Sequence, residues 1–480
     1  MAWSDFIVCL INFLKQNKEK CHPGSLLILS LFLLANCNST RTISVSSSPL
    51  STSLSTLVIT QPYTEKPSTP ELQTPKPTVT LTETVTQSPI SRGDWGDSFS
   101  PRISPDGRYV VFASRAGNLV TFKGLQSRCP GTDGEMVNCT QLYVYDRQNS
   151  VINLLTKSKE GKPGNGQSAD PDISMDGRWI VFRSDASNLT GNGTSNQWGI
   201  FVSDQKTGVI KRVLQAGNAP AISADGRYLV YSFDTNIYLN DLQVSREELI
   251  TKGLNGQISD GMSGWPDISG DGRWVAFWSW AGNLIHGDIE ICREGEQTNY
   301  SCGDVFIYDN ASGKIDRIPV GIGYGLGMGE LTLSLSENGD RVAFECQVLD
   351  RRLNKAICKD CCGAKLSANG QYAIFRRGAD FFVRNLSTDS ITQVSVTSDG
   401  APANGEYVYP RLSLEGEDFE PGFDISLDGH WAVFASTASN LIANDSNNCG
   451  DAFFTSHNCY NIFIHDLQTG ITEWISKPGK

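Results

Sequence analysis

Ser168 to Thr190, SADPDISMDGRWIVFRSDASNLT, is the stretch around which the chain is organised. An apolar segment ends at Ser174, Asp176-Gly177 supplies the residues that tolerate a positive φ in a tight turn, and an aromatic and β-branched run leads back out. That is the pattern of a β-hairpin. Versions of it are centred on Gly107 (ISPDGRYVVF), Gly177 (ISMDGRWIVF), Gly226 (ISADGRYLVY), Gly272 (ISGDGRWVAF), Gly339 (LSENGDRVAF), Gly370 (LSANGQYAIF) and Gly429 (ISLDGHWAVF). Such repetition is read before any local feature. A third strand follows most hairpins, as in LYVYD at Leu142, IFVSD at Ile200, IYLND at Ile237, VFIYD at Val305, FFVRN at Phe381 and IFIHD at Ile462. A short turn such as QKTG or LQTG then leads into a fourth strand. Repeated units of four antiparallel strands predict an all-β propeller.

Seven copies predict seven blades. The fifth is the irregular one, with Arg341 where other copies carry an aromatic residue and little chain left for a fourth strand before Cys361-Cys362. The expectation is an incomplete fifth blade, with six blades the alternative if copies five and six share one. In four copies the second strand continues into a common phrase, SRAGNLV at Ser114, SDASNLT at Ser184, SWAGNLI at Ser279 and STASNLI at Ser436. There the Leu is read as pinning the start of a long loop, and the small residue and Asn as allowing a sharp bend.

The hairpin S-x-D-G-x-[WY]-V-x-F with its following [IV]-[FY]-[IV]-x-D strand resembles the WD40-like repeats of the bacterial TolB kind, over roughly Ser98 to Lys480. The resemblance implies the propeller and no particular activity. TolB proteins carry an additional α/β domain where this chain has a stretch rich in Ser, Thr and Pro.

Before the propeller, expected over residues 97–480, lie two further segments. Residues 1–37 contain the apolar run Ser25 to Ala35, SLLILSLFLLA, which is short for a bilayer span and suits a secretory signal. Leu34-Ala35-Asn36-Cys37 resembles a bacterial lipobox, with Asn36 a departure from the usual small residue, so Cys37 is the expected lipidation site. A cleaved signal or an uncleaved anchor is the other reading. Residues 38–96 have too few apolar side chains to offset the entropy of ordering and are read as a disordered stalk. The expectation is export to the cell envelope or surface, with membrane attachment through the N-terminus.

A net charge of -12 and a pI near 5.0 argue against a nucleic-acid partner. Among thirteen cysteines, three pairs share one spacing, Cys129 with Cys139, Cys292 with Cys302 and Cys449 with Cys459, each ahead of a third strand. They are expected to form three local disulfides, each worth ~2 to 3 kcal/mol by loop closure. Cys346, Cys358, Cys361 and Cys362 are read as two further bridges of open pairing. A zinc site there is the rival, disfavoured by the adjacent Cys361 and Cys362.

In an antiparallel blade, the first-to-second and third-to-fourth turns share one face, and the long loops share the other with the inter-blade connections. Binding is expected on that long-loop face, to a protein or a glycan. The Asp-Gly-turn carboxylates Asp106, Asp176, Asp225, Asp271 and Asp428 are read as structural. Tyr109, Trp179, Tyr228, Trp274, Tyr372 and Trp431 recur at one repeat position and are read as inter-blade core, whereas Trp198, Trp265, Trp278 and Trp280 lie off that register. Five histidines without HExxH spacing and the absence of a G-x-S-x-G elbow leave no catalytic residue to assign. Asp445, Asn447 and Asp451 as calcium ligands are disfavoured without a glycine-centred loop. No metal or cofactor is assigned. The leading expectation is a non-enzymatic binding scaffold; the alternative is a propeller hydrolase or lyase acting on polysaccharide, which would need carboxylates converging at the channel.

Overall fold

The computed structural model describes residues 96–121, 127–130, 136–190, 197–287, 303–318, 332–406, 422–442, 448–449 and 457–478. Cys37, the signal and stalk segments, Cys292, Cys302, Asp445, Asn447 and Asp451 lie outside the described residues. Seven sheets, each of four antiparallel strands in chain order, form the blades of a propeller, with a two-stranded ribbon inserted between the second and third strands of blades 1 and 7. Blade 2 is representative, with strands Ser168–Ile173, Trp179–Ser184, Gly199–Asp204 and Val209–Leu214 running from the channel outward.

Each Asp-Gly hairpin closes in the same way. Ser174 Oγ donates to Asp176 Oδ1 (2.9 Å) and accepts from the Trp179 amide (2.9 Å), and Gly177 takes a φ of 69° that costs glycine nothing. The aspartates of these turns are therefore turn-formers.

The aromatic residue after each turn lies at the blade interface. A Cβ placed on Gly226 would come 2.1 Å from the Trp179 ring, and one on Gly177 would come 2.2 Å from Tyr109, so each turn backbone rests on the ring of the preceding blade. The same contact joins Gly107 to Trp431 and closes the circle. These rings are half-buried. The deep packing lies higher up, in seven apolar clusters that each span one interface, such as Phe99, Val111, Ile180 and Phe182 between blades 1 and 2.

Ring closure uses no exchanged strand among the described residues. Blades 7 and 1 meet through Val433, Ile462 and Ile464 packed on Val110 and Phe112. Ile103 N donates to Asp424 Oδ2 (3.0 Å), and Leu427 N to Pro105 O (2.8 Å).

The fifth blade corrects the sequence expectation: it is complete, and the six-blade alternative falls. Its strands Leu333–Leu335, Arg341–Phe344, Gln347–Asp350 and Lys355–Cys358 are short, and a two-residue turn at Glu345-Cys346 leaves enough chain for the fourth. Arg341 replaces the aromatic ring by donating from Nη1 to the carbonyl of Gly370, the next blade's turn glycine. A hydrogen bond there does the joining that ring packing does elsewhere.

Candidate functional site

The innermost strands line the channel, and their accessible positions alternate. Arg102, Asp172, Asp267, Lys365 and Asp424 occupy one equivalent position, two residues before the serine of each turn, and all are half-buried. Each aspartate is committed to the neighbouring blade: Asp172 Oδ2 accepts from Ile222 N (2.8 Å), Asp267 Oδ2 from Leu335 N (2.7 Å), and Asp424 Oδ2 from Ile103 N (3.0 Å). In blade 5 Ser334 takes the same role, accepting from Leu366 N (3.0 Å). In these four blades the side chain at this position is an inter-blade staple.

Gathering these charges inside the disc has a cost. Burial raises the pKa of Asp172, opposed by Arg102; burial pushes Asp267 up to about 6, opposed by Lys365 and reinforced by Asp172; burial raises Asp424, opposed by Arg102. Burial lowers Lys365, Arg102 lowers it further, and the three aspartates oppose the shift.

One layer nearer the long-loop face the first strands bend. Ser100, Asp170, Ala219 and Trp265 each have a φ of 45–50° immediately before a proline, and the strand register shifts there. Glycine takes the bend in blades 6 and 7, at Gly363 and Gly422. Such a bulge re-aims a side chain, and here it directs position 170 and its equivalents to the channel mouth.

Two corners of the mouth are built up. In the first, Arg183 Nε donates to Asp170 Oδ2 (2.5 Å) and Nη1 to Asn218 Oδ1 (2.5 Å), with the guanidinium 4.8 Å from the centre of the Trp198 ring. In the second, Trp265 is 38% exposed and meets Trp280 edge-on, with centroids 6.3 Å apart. Of the four tryptophans off the repeat register, Trp278 is fully buried between blades 4 and 5. Trp198 packs on the core between blades 1 and 2 beside Arg183, and Trp265 and Trp280 meet each other.

The first residues of the long loops on this face are held in place. Ser184 Oγ meets Ser168 Oγ (2.9 Å) and caps Ala186 N (3.1 Å), Leu189 is buried, and Asn188 exchanges hydrogen bonds with the connection before the blade, accepting from Asn165 N (3.0 Å) and donating to Pro163 O (3.0 Å). Asn440 does the same with Asn404 N and Pro402 O in blade 7 (both 2.9 Å).

Cys129 and Cys139 are bonded across the ribbon formed by Arg128–Pro130 and Met136–Asn138. Cys459 is disulfide-bonded, and the backbone of Cys449 pairs with that of His457. The fifth-blade cysteines pair as Cys346 with Cys362 and Cys358 with Cys361.

The channel carboxylates and the Asp170 corner were not singled out from sequence. The available signal was positional: the residue two before each turn serine, and the residue preceding the first-strand proline.

No family model matches this chain, and no curated protein matches it. Among solved structures it is similar to an oligogalacturonate lyase in complex with manganese (12% identity over 71% of this chain and 87% of that one, TM-score 0.45). It is also similar to the β-propeller domain of the Trilobed protease from Pyrococcus furiosus (12% identity, 80% and 99% covered, TM-score 0.46) and to a putative TolB from Agrobacterium tumefaciens (16%, 62% and 79%, TM-score 0.31). These are distant propellers, and the blade count above rests on strand pairing.

Proposed function

We propose that the protein is an exported, envelope-anchored scaffold, lipidated at Cys37, that binds its partner with the long-loop face of the propeller and catalyses no reaction. The observation that carries this reading is the asymmetry between the two faces. The turn face consists of short hairpins whose polar groups satisfy one another, whereas the opposite face carries long loops held by Leu189-type anchors, asparagine locks and the Cys129–Cys139 bridge, around a mouth with an exposed Trp265. Loops on a rigid frame are the usual seat of binding. The alternative, a polysaccharide hydrolase or lyase, draws on the raised pKa of Asp267 in the channel. Against it, each channel aspartate already holds a backbone amide of the next blade.

A photo-cross-linking amino acid at Ile258, on the long-loop face, is compared on intact cells with one at Gln148, on the turn face. Both positions are exposed. The expected result is an adduct from position 258 alone, weakened in Cys129→Ser/Cys139→Ser; adducts in equal yield from both faces would remove the assignment. Fatty-acid labelling of the wild type and not of Cys37→Ser is the expected outcome for the anchor.

A further inference from the structure

We infer that the channel mouth is a binding site for a neutral glycan chain, with one sugar ring stacked on Trp265 and another hydrogen-bonded by Asp170 and Asn218. This rests on the long-loop face being the binding face and names its ligand class.

The first ground is the cost of Trp265. Its φ of 49° is the left-handed region, which disfavours any side chain by roughly 1–2 kcal/mol. At the equivalent bend the other blades carry Ser100, Asp170, Ala219, Gly363 and Gly422, all small or able to bond locally. A large aromatic side chain left 38% exposed at such a bend is the exception among these positions. Its ring is nevertheless held, because Trp280 meets it edge-on at 6.3 Å. An oriented, partly exposed indole suits the C–H face of a pyranose, whose weakly positive hydrogens pack on an indole's negative face.

The second ground is the Asp170 corner. Arg183 is buried, 5% exposed, while the Asp170 side chain keeps 31% of its surface. The arginine thus pairs with Oδ2 of the carboxylate from the buried side and leaves part of the carboxylate exposed. Asn218, fixed through its Oδ1 by Arg183 Nη1 (2.5 Å), is exposed beside it. Acceptors and donors of fixed direction and no net charge match sugar hydroxyls. Ala219, small and half-buried, lies between the two corners on the intervening blade.

The third ground is charge. Asp172, Asp267 and Asp424 lie one layer deeper, against the two cations Arg102 and Lys365. Three acids against two bases disfavour a polyuronate at the mouth, and the net charge of -12 adds to that. Leu254, Ile258 and Met262 are exposed in the connection before this strand, whereas the ring of positions that Trp265 shares holds Ser100, Asp170 and Ala219.

The test is titration calorimetry on the full-length chain in a detergent without sugar groups, using cellohexaose, mannohexaose and chitohexaose as neutral probes and hexagalacturonate as the acidic one. At least one neutral hexaose is expected to bind. Trp265→Ala should weaken it about tenfold or more, and Asp170→Asn by about three- to tenfold, with hexagalacturonate at least about tenfold weaker than the neutral probe. Trp265→Gly, which relieves the bend, should keep a cooperative thermal transition while losing the same affinity, and so separates binding from folding. The inference is overturned if no neutral hexaose binds at millimolar concentration, if Trp265→Ala binds within about twofold of wild type, or if hexagalacturonate binds more tightly. A protein adduct at position 258 with no glycan binding would overturn this inference and leave the long-loop face as the binding face.

Discussion

Blades 1, 2, 4 and 7 differ from blades 3, 5 and 6 in how the second strand reaches the third. In the first group the strand ends on a serine that caps the following bend, Ala116, Ala186, Ala281 or Ala438 is buried behind it, and Leu119, Leu189, Leu284 or Leu441 is driven into the core at 2–3% exposure before a long loop begins. In the second group the strand turns back at once, through Asp234-Thr235, Glu345-Cys346 or Gly378-Ala379, with positive φ at Asp234, Thr235, Glu345 and Gly378. One sheet frame serves both. A loop can be long on this frame without loosening it when its first residues are part of the core, and a blade without such an anchor is restricted to a hairpin.

The largest effect expected from this contrast is at the anchor. Leu189→Ala should lower the unfolding free energy by about 2 to 4 kcal/mol, the range for a buried leucine. Chemical denaturation reads it. A loss below about 1 kcal/mol would make the anchor a loop residue and dissolve the distinction between the groups.

The channel staples belong to both groups and allow a pH test. Asp267 in blade 4 has its folded pKa raised to about 6, so the folded state binds the proton more tightly than the unfolded state does. The stability that protonation confers is present at low pH and is lost as pH rises from about 4 through about 6. Asp267→Asn keeps an acceptor for Leu335 N and removes the titrating charge. Relative to wild type, the variant should gain about 1 to 2 kcal/mol at pH 7, discounted for the channel's access to solvent, and nothing near pH 4. A constant difference across that window would contradict the cause assigned to the shift.

The asparagine lock gives a sharper comparison inside the long-loop group. Asn188 holds Pro163 and Asn165, while both polar atoms of Asn118 in blade 1 are buried without a partner. The sequence places Trp95 three residues before Ser98, where blade 2 has Asn165 before Ser168. Asn188→Ala should therefore cost about 1 to 2 kcal/mol and speed amide exchange at residues 163–166, whereas Asn118→Ala should be neutral within about 0.5 kcal/mol. Equal losses at both sites would mean that the lock contributes nothing.

The smallest effect lies in the tight turns. Thr235 is β-branched and held at a φ of 66°, so Thr235→Gly should raise stability by about 0.5 kcal/mol, while Gly378→Ala at 63° should lower it by about 1 kcal/mol. Thermal midpoints moving in the same direction in both variants would show that turn geometry does not set the short connections.

The sequence by itself determined the blade. Serine, Asp-Gly or Asn-Gly and the alternating strand are local signals, because turn conformation and strand facing are fixed by neighbours in the chain. It also marked the anchored loops, through the repeated Ser-to-Leu phrase, and the spacing of Cys129 and Cys139. Blade 5 was harder to read because the replacement for its aromatic residue, Arg341, acts through a hydrogen bond to Gly370 in another blade. The channel and its mouth were decided only by the tertiary structure. Asp172, Asp267 and Asp424 look alike in sequence to any solvated carboxylate, and Trp265 to any strand tryptophan. What sets them apart is that seven first strands are brought round one axis, where side chains distant in the chain share a confined space and shift one another's ionisation.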